Sequence, residues 1–219
     1  MALTKLPTTI RPTIAPSLPV APVEYEKQHQ DQFAKVIQLY FTQNDSNSSA
    51  LLGRLGGQYL TFPYGTFYDT TTQSAASTTV AYPVTWNSNY DAGDTLGDGI
   101  TVDPLATSHI KIGFFGSYNI QATLNFQNTG ATNGYVYVWF RIAGVDEPQT
   151  ASKTLVTATS GSVTVSRNYV FHLDSANYIE VCWATSSTSI ALTPVAAASP
   201  VPAIPSSSVS VTFVSGTHT

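Results

Sequence analysis

Residues 109–127 read HIKIGFFGSYNIQATLNFQ. Ile110, Ile112, Tyr118, Ile120, Ala122, Leu124 and Phe126 recur at every second position on either side of Gly113–Gly116. Successive side chains of a strand point to opposite faces, so this alternation predicts half-buried β-structure, and the glycine pair predicts a hairpin or a bulged strand pair within a core. The same period-two pattern returns in VAYPVTW (80–86), GYVYVWFRIAG (134–144), SVTVSRNYVFHL (162–173), NYIEVCWA (177–184) and SVSVTFVS (208–215). Asn, Asp, Gly and Pro turns separate these runs, the usual punctuation of short strands. So many strands in roughly 150 residues suit two packed sheets better than one open sheet with long bare edges, and the expected fold is an all-β jelly-roll β-sandwich over residues 58–219.

Composition agrees with a β domain plus an appendage. The chain has 219 residues, 42% of them apolar, 11% aromatic and only 10% charged. Ordinary globular domains carry about a quarter charged residues, so here Ser, Thr, Asn and Gln must cover the surface. A net charge of -4 and the absence of a basic stripe or arginine cluster argue against nucleic acid as a partner. No apolar run reaches spanning length, so membrane insertion is not expected. Nor does the start of the chain combine a charged region with an apolar one, which predicts cytoplasmic synthesis without secretion. Without a secretory signal, the tandem sequons at Asn44 and Asn47 carry little meaning.

Ahead of the strands the pattern changes twice. Residues 1–23 hold Pro7, Pro12, Pro16, Pro19 and Pro22, spaced so that neither helix nor sheet ladder can form. At a polyproline rise such an arm reaches roughly 70 Å. A solvated linker is the plain alternative, but Leu3, Leu6, Ile10, Ile14, Leu18 and Val20 are interleaved with the prolines, and a spacer has no need of them. They read as anchors for another protein's grooves, with Lys5 and Arg11 able to seat on an acidic surface. From 24 to 44 the period becomes helical, with Tyr25, Phe33, Val36, Ile37, Tyr40 and Phe41 on one stripe. A helix of roughly 20 residues spans about 30 Å and is marginal alone, so this one needs either its own β domain or a bundle between chains. Residues 45–57, rich in Ser, Asn and Gly, read as a joint.

Catalytic signatures are missing from the sequence. The histidines, His29, His109, His172 and His218, are dispersed, and no Ser-His-Asp, H-E-x-x-H or phosphate-loop spacing occurs. The chain is expected to be no enzyme and to need no cofactor. Cys182, the single cysteine, excludes an internal disulfide; it alternates with Ile179, Val181 and Trp183 and is expected to be a buried apolar thiol. Asp91, Asp94, Asp98 and Asp103 crowd a Gly-rich loop and could offer oxygen ligands to Ca²⁺, but their spacing departs from an EF-hand and turn formation explains them equally well.

The stretches GSYNIQATLNFQ, VYVWFRIAGVD, FHLDSANYIEVCW and SVSVTFV follow in order a pattern that resembles the complement-type globular head, a jelly roll of the tumour-necrosis-factor superfold. Gly116 and Tyr118 match that pattern, Ile120 and Ala122 stand where it has aromatics, and Ser175-Ala176-Asn177 replaces its Gly-Asp turn. The likeness covers about residues 64–215. GTFYDTTTQSAASTTVAYPVTWN (65–87), ALTPVAAASPVPAIPSSSVSVTFV (191–214) and IQLYFTQND (37–45) are similar to structural proteins of tailed bacteriophages. These resemblances imply a homotrimer, with the helices gathered on its axis. Tyr135, Tyr137, Trp139, Tyr178 and Trp183 are then candidates for the shared faces. They also imply a virion component joined to capsid, connector or tail proteins through residues 1–23, as a head-decoration or fibre-like protein. The alternative is a receptor-binding adhesin that recognises a host surface glycan or protein. The segments 87–105 and 184–205 are expected to be long surface loops, poor in the aromatic and charged clusters that binding hot spots favour.

Overall fold

A computed structural model of the chain describes residues 17–18, 27–52, 62–89, 99–175 and 177–216. The chain divides into two units, Met1–Thr61 and Phe62–Thr219.

In the first unit α1 runs from Lys27 to Leu52. It continues past the expected end near residue 44 and through much of the expected joint. The physical reason is plain in the sequence: Asn and Ser weaken a helix by only fractions of a kcal/mol each, about 0.5, while no proline or glycine interrupts it before Gly53. Phe33, Val36, Ile37 and Tyr40 are half-buried, whereas Leu39 and Phe41 are 62% and 57% exposed. Among the described residues no helix is long and apolar enough to cross a membrane.

The second unit is an antiparallel β-sandwich. Its strands are β1 (Tyr64–Asp69), β2 (Gln73–Ser74), β3 (Tyr82–Pro83), β4 (Ser88–Asn89), β5 (Ile100–Asp103), β6 (Ala106–Ile112), β7 (Gly116–Asn128), β8 (Gly134–Ile142), β9 (Val145–Asp146), β10 (Ser152–Val156), β11 (Gly161–Leu173), β12 (Tyr178–Thr185), β13 (Ile190–Leu192) and β14 (Ser207–Ser215). Sheet A runs β11-β7-β14-β1-β4, with β13 and β2 continuing beside the far end of β7. Sheet B runs β10-β8-β12-β6-β5, with β9 on β8 and β3 on β12. The chain alternates between the sheets, from β6 to β7, β7 to β8, β10 to β11 and β11 to β12, which is jelly-roll topology.

That order corrects the hairpin expected at Gly113–Gly116. Strand β6 pairs with β5 and β12, while β7 pairs with β11, β13 and β14, so the two glycines carry the chain from one sheet to the other. Alternation reports that one face is buried, and both sheets bury a face against the same core. Gly116 has φ 156°, and a Cβ there would stand 2.5 Å from the Phe213 ring and 2.9 Å from the Ser215 carbonyl oxygen. The stretch 80–86 forms only the two-residue β3, because Pro83 cannot donate to a ladder. The 184–205 segment is likewise more ordered than a loop: it contains β13 and a flap closed by the Val195–Ile204 and Ala198–Val201 bridges.

Between the sheets lies one core, built from Ile110, Ile120, Leu124, Phe126, Val138, Phe140, Val181, Trp183 and their neighbours. The Trp183 ring tilts against Phe126 at 5.4 Å and Tyr82 at 5.6 Å. Phe140 meets Phe171 edge-on at 5.4 Å, tying β8 to the edge strand β11. Each such burial removes roughly 2–3 kcal/mol worth of apolar surface from water.

Candidate functional site

The two outward sheet faces differ in chemistry, and the strand register says which side chains share each one. Residues opposite one another in a ladder point the same way. On sheet A, Ser117, Asn119, Gln121, Thr123, Asn125 and Gln127 of β7 stand opposite His172, Val170, Asn168, Ser166, Thr164 and Ser162 of β11. On the other flank Thr212, Ser210 and Ser208 of β14 face the same way. No Asp, Glu, Lys or Arg stands on this part of the face. It is a layer of hydroxyls and amides, bonded internally by Thr164 Oγ1 to Asn125 Oδ1 at 2.7 Å and by Thr123 and Ser166 hydroxyls at 3.2 Å.

Sheet B carries aromatic and charged groups on its outward face. Along β8, Tyr135, Tyr137, Trp139 and Arg141 point outward, because Val136, Val138 and Phe140 fill the core. Lys153 lies opposite Tyr137 and Leu155 opposite Tyr135 on one side; Ala184, Cys182 and Glu180 lie opposite Tyr137, Trp139 and Arg141 on the other. This face has two ends.

At one end the charges satisfy each other. Glu180 is only 5% exposed. Its Oε1 accepts from Ser108 Oγ at 3.0 Å and lies 3.5 Å from His109 Nε2; its Oε2 is 3.8 Å from Arg141 Nη1. Arg141 Nε and the Trp139 indole N–H both donate to Asp146 Oδ1, at 2.8 and 2.7 Å. These two donors, the guanidinium first, hold the Asp146 carboxyl below its ordinary range, and Asp146 in turn raises Arg141. Tyr178 stacks on His109 at 3.8 Å. Burial pushes the Cys182 thiol up to about 12, so at neutral pH it stays protonated and is a poor nucleophile. The expected buried thiol is what the structure has, although Cys182 lies on the outward side of the sheet and is covered there.

At the other end the groups are open. Tyr135 and Tyr137 are 39% and 36% exposed, and Lys153 Nζ sits 3.9 Å from the Tyr135 ring centroid and 5.8 Å from that of Tyr137. Such an ammonium over a ring face is a cation–π contact.

Of the residues singled out from sequence, the structure therefore gathers Tyr135, Tyr137, Trp139 and Tyr178 on one face. Trp183 belongs elsewhere: at 1% exposed it fills the core of its own chain, since it alternates with Cys182 onto the inward side, and it cannot serve as an interface residue. Leu18 is exposed. Leu3, Lys5, Leu6, Ile10, Arg11, Ile14, Val20 and Tyr25 lie outside the described residues, as do Asp91, Asp94, Asp98 and His218. Asp103 pairs with Lys111 at 2.8 Å, and that ammonium, followed by the Leu105 N–H, lowers its pKa. No group of three or more His, Cys, Asp or Glu side chains placed to hold a metal occurs among the described residues. The Glu180–Arg141–Asp146 cluster was missed from sequence, though a glutamate in the middle of the apolar run YIEVCW was its signal.

Comparison with known proteins adds little. No family model matches the chain, and no curated protein matches it. Among solved structures, Eiger TNF from S. frugiperda is similar over 72% of this chain and 96% of that one, at 10% identity and a TM-score of 0.48. The jelly-roll assignment stands on the strand order itself.

Proposed function

We propose that the chain is a structural protein of a bacteriophage particle: a homotrimeric head-decoration or fibre-like component, held to capsid, connector or tail proteins by residues 1–23 and presenting its jelly roll outward. The likeness of its leader and head to tailed-phage structural proteins supports the particle. The observation that carries self-association is the outward face of sheet A, which along β7, β11 and β14 sets no Asp, Glu, Lys or Arg against a second copy, so no like charges meet there. The apolar stripe of α1 offers a second contact between copies. In this arrangement Tyr135, Tyr137, Trp139 and Tyr178 are not the shared surface, since Lys153, Arg141 and Glu180 stand among them. Light scattering on the purified chain tests the reading. Three copies of a 23.4 kDa chain weigh about 70 kDa; a single 23.4 kDa species at micromolar concentration overturns it.

A second reading, host attachment, is favoured by the open aromatic end of sheet B. Retention of the full-length protein on host cells, measured by pull-down with labelled protein, supports it, and absence of retention removes it.

A further inference from the structure

We propose that the open end of sheet B, where Lys153 stands over Tyr135 and Tyr137, is a binding site for a carboxylated sugar of a cell-surface polysaccharide. The inference rests on the host-attachment reading and names its ligand. Charge comes first. Lys111 and Arg141, the other cations of this face, are each bound to an aspartate at 2.8 Å, whereas no carboxylate pairs with Lys153 among the described residues. The ligand must therefore bring the anion.

The aromatic groups fix its kind. Lys153 covers one face of the Tyr135 ring, which leaves the Tyr137 ring for stacking against the C–H face of a sugar. Neither phenol hydroxyl enters a hydrogen bond among the described residues, so both are free to bond sugar hydroxyls. The backbone beneath Tyr135 is also held in place. The Tyr135 N–H donates to Ser186 Oγ at 2.8 Å, and the Tyr135 carbonyl accepts from the Ser186 N–H at 2.9 Å and Thr185 Oγ1 at 3.3 Å. Tyrosine, with two side-chain torsions, loses little rotamer freedom on binding. The open patch, two rings with one lysine and Leu155 beside them, is of the extent of a sugar ring or two. Ala184, a small side chain, lies opposite Tyr137 on the neighbouring strand.

The test uses the full-length protein on an array of uronic-acid and sialylated glycans printed beside their carboxyl-reduced counterparts. The expected result is retention of at least one carboxylated glycan, about tenfold weaker retention of its reduced form, and about tenfold loss with Lys153→Gln or Tyr137→Ala. Lys153→Arg keeps most of the binding, and Ser166→Ala, on sheet A, keeps all of it. Salt weakens the interaction, as expected of an exposed ion pair. Retention of no carboxylated glycan, equal retention of the reduced forms, or an unaffected Lys153→Gln overturns the proposal. Equal retention of polyglutamate also overturns it, because the site then reads charge without sugar. Host-cell retention with an empty array sinks this proposal and leaves host attachment standing; array binding without cell retention does the reverse.

Discussion

Single side chains set the firmest expectations. Cys182 has its thiol raised to about 12 by burial, so iodoacetamide at pH 8 should leave the folded protein unlabelled and label it fully in urea, as mass spectrometry would show. Its contribution to stability is present below the unfolded thiol's pKa, near 9, and is lost as pH rises towards 12. Asp146 works in the opposite direction: its folded pKa is depressed, so its contribution is present above the unfolded carboxylate value of about 3.9 and disappears as pH falls through the folded one. Because the Asp146 side chain is 54% exposed, the pair is worth only about 0.5 kcal/mol, and Asp146→Asn should flatten the acid limb of the unfolding curve by that small amount. Glu180→Ala should cost more, about 2 kcal/mol by urea unfolding, since it strips a buried site of a carboxylate that Ser108 and Arg141 both address. The burial of Cys182 was legible only from how often a free cysteine is buried, since Val181 and Trp183 face the other side of β12. The role of Trp183 was not: a large aromatic suits a core and an interface equally until the inward side of β12 is known.

Elements were legible wherever one residue in two is apolar for long enough, as in β7, β8, β11 and β14. Their partners were not, because period two is the same in either sheet of a sandwich. Strands β6 and β7 show this most plainly, since the glycines between them would serve a hairpin as well as a crossing. The crossing makes its own prediction. Gly116→Ala places a methyl against Phe213 and the Ser215 carbonyl and should destabilise the sandwich by about 2 kcal/mol in denaturant unfolding, in the range typical of overpacking. Wild-type stability there would mean that β7 starts elsewhere. The end of α1 was misplaced for a different reason: Asn and Ser look like a joint, but they only weaken a helix, and glycine or proline is needed to stop it.

For the whole molecule, the sandwich was legible and its candidate site was not. Glu180, Arg141, Asp146 and Ser108 are brought together from three strands and a short ladder partner, and only the register joins them. Lys153 reaches Tyr135 across the β10–β8 ladder for the same reason. Self-association gives two expectations at this scale. Val36→Asp combined with Ile37→Asp should lower the solution mass towards 23.4 kDa while the β-rich circular dichroism spectrum persists. Removal of residues 1–23 should leave a trimer, now of about 63 kDa, yet prevent incorporation into particles, read by sedimentation of purified virions. Strand β11 carries one further implication. Thirteen residues long, it is hydrogen-bonded on one flank only among the described residues, and Arg167 is its sole permanent charge. Nothing on that flank repels a like strand. An isolated, freshly made subunit is accordingly an open template, and a closed ring of copies would be its protection against runaway polymerisation. Slow dilution of unfolded chains should then yield thioflavin-positive fibrils, whereas rapid refolding at high concentration yields finished oligomers.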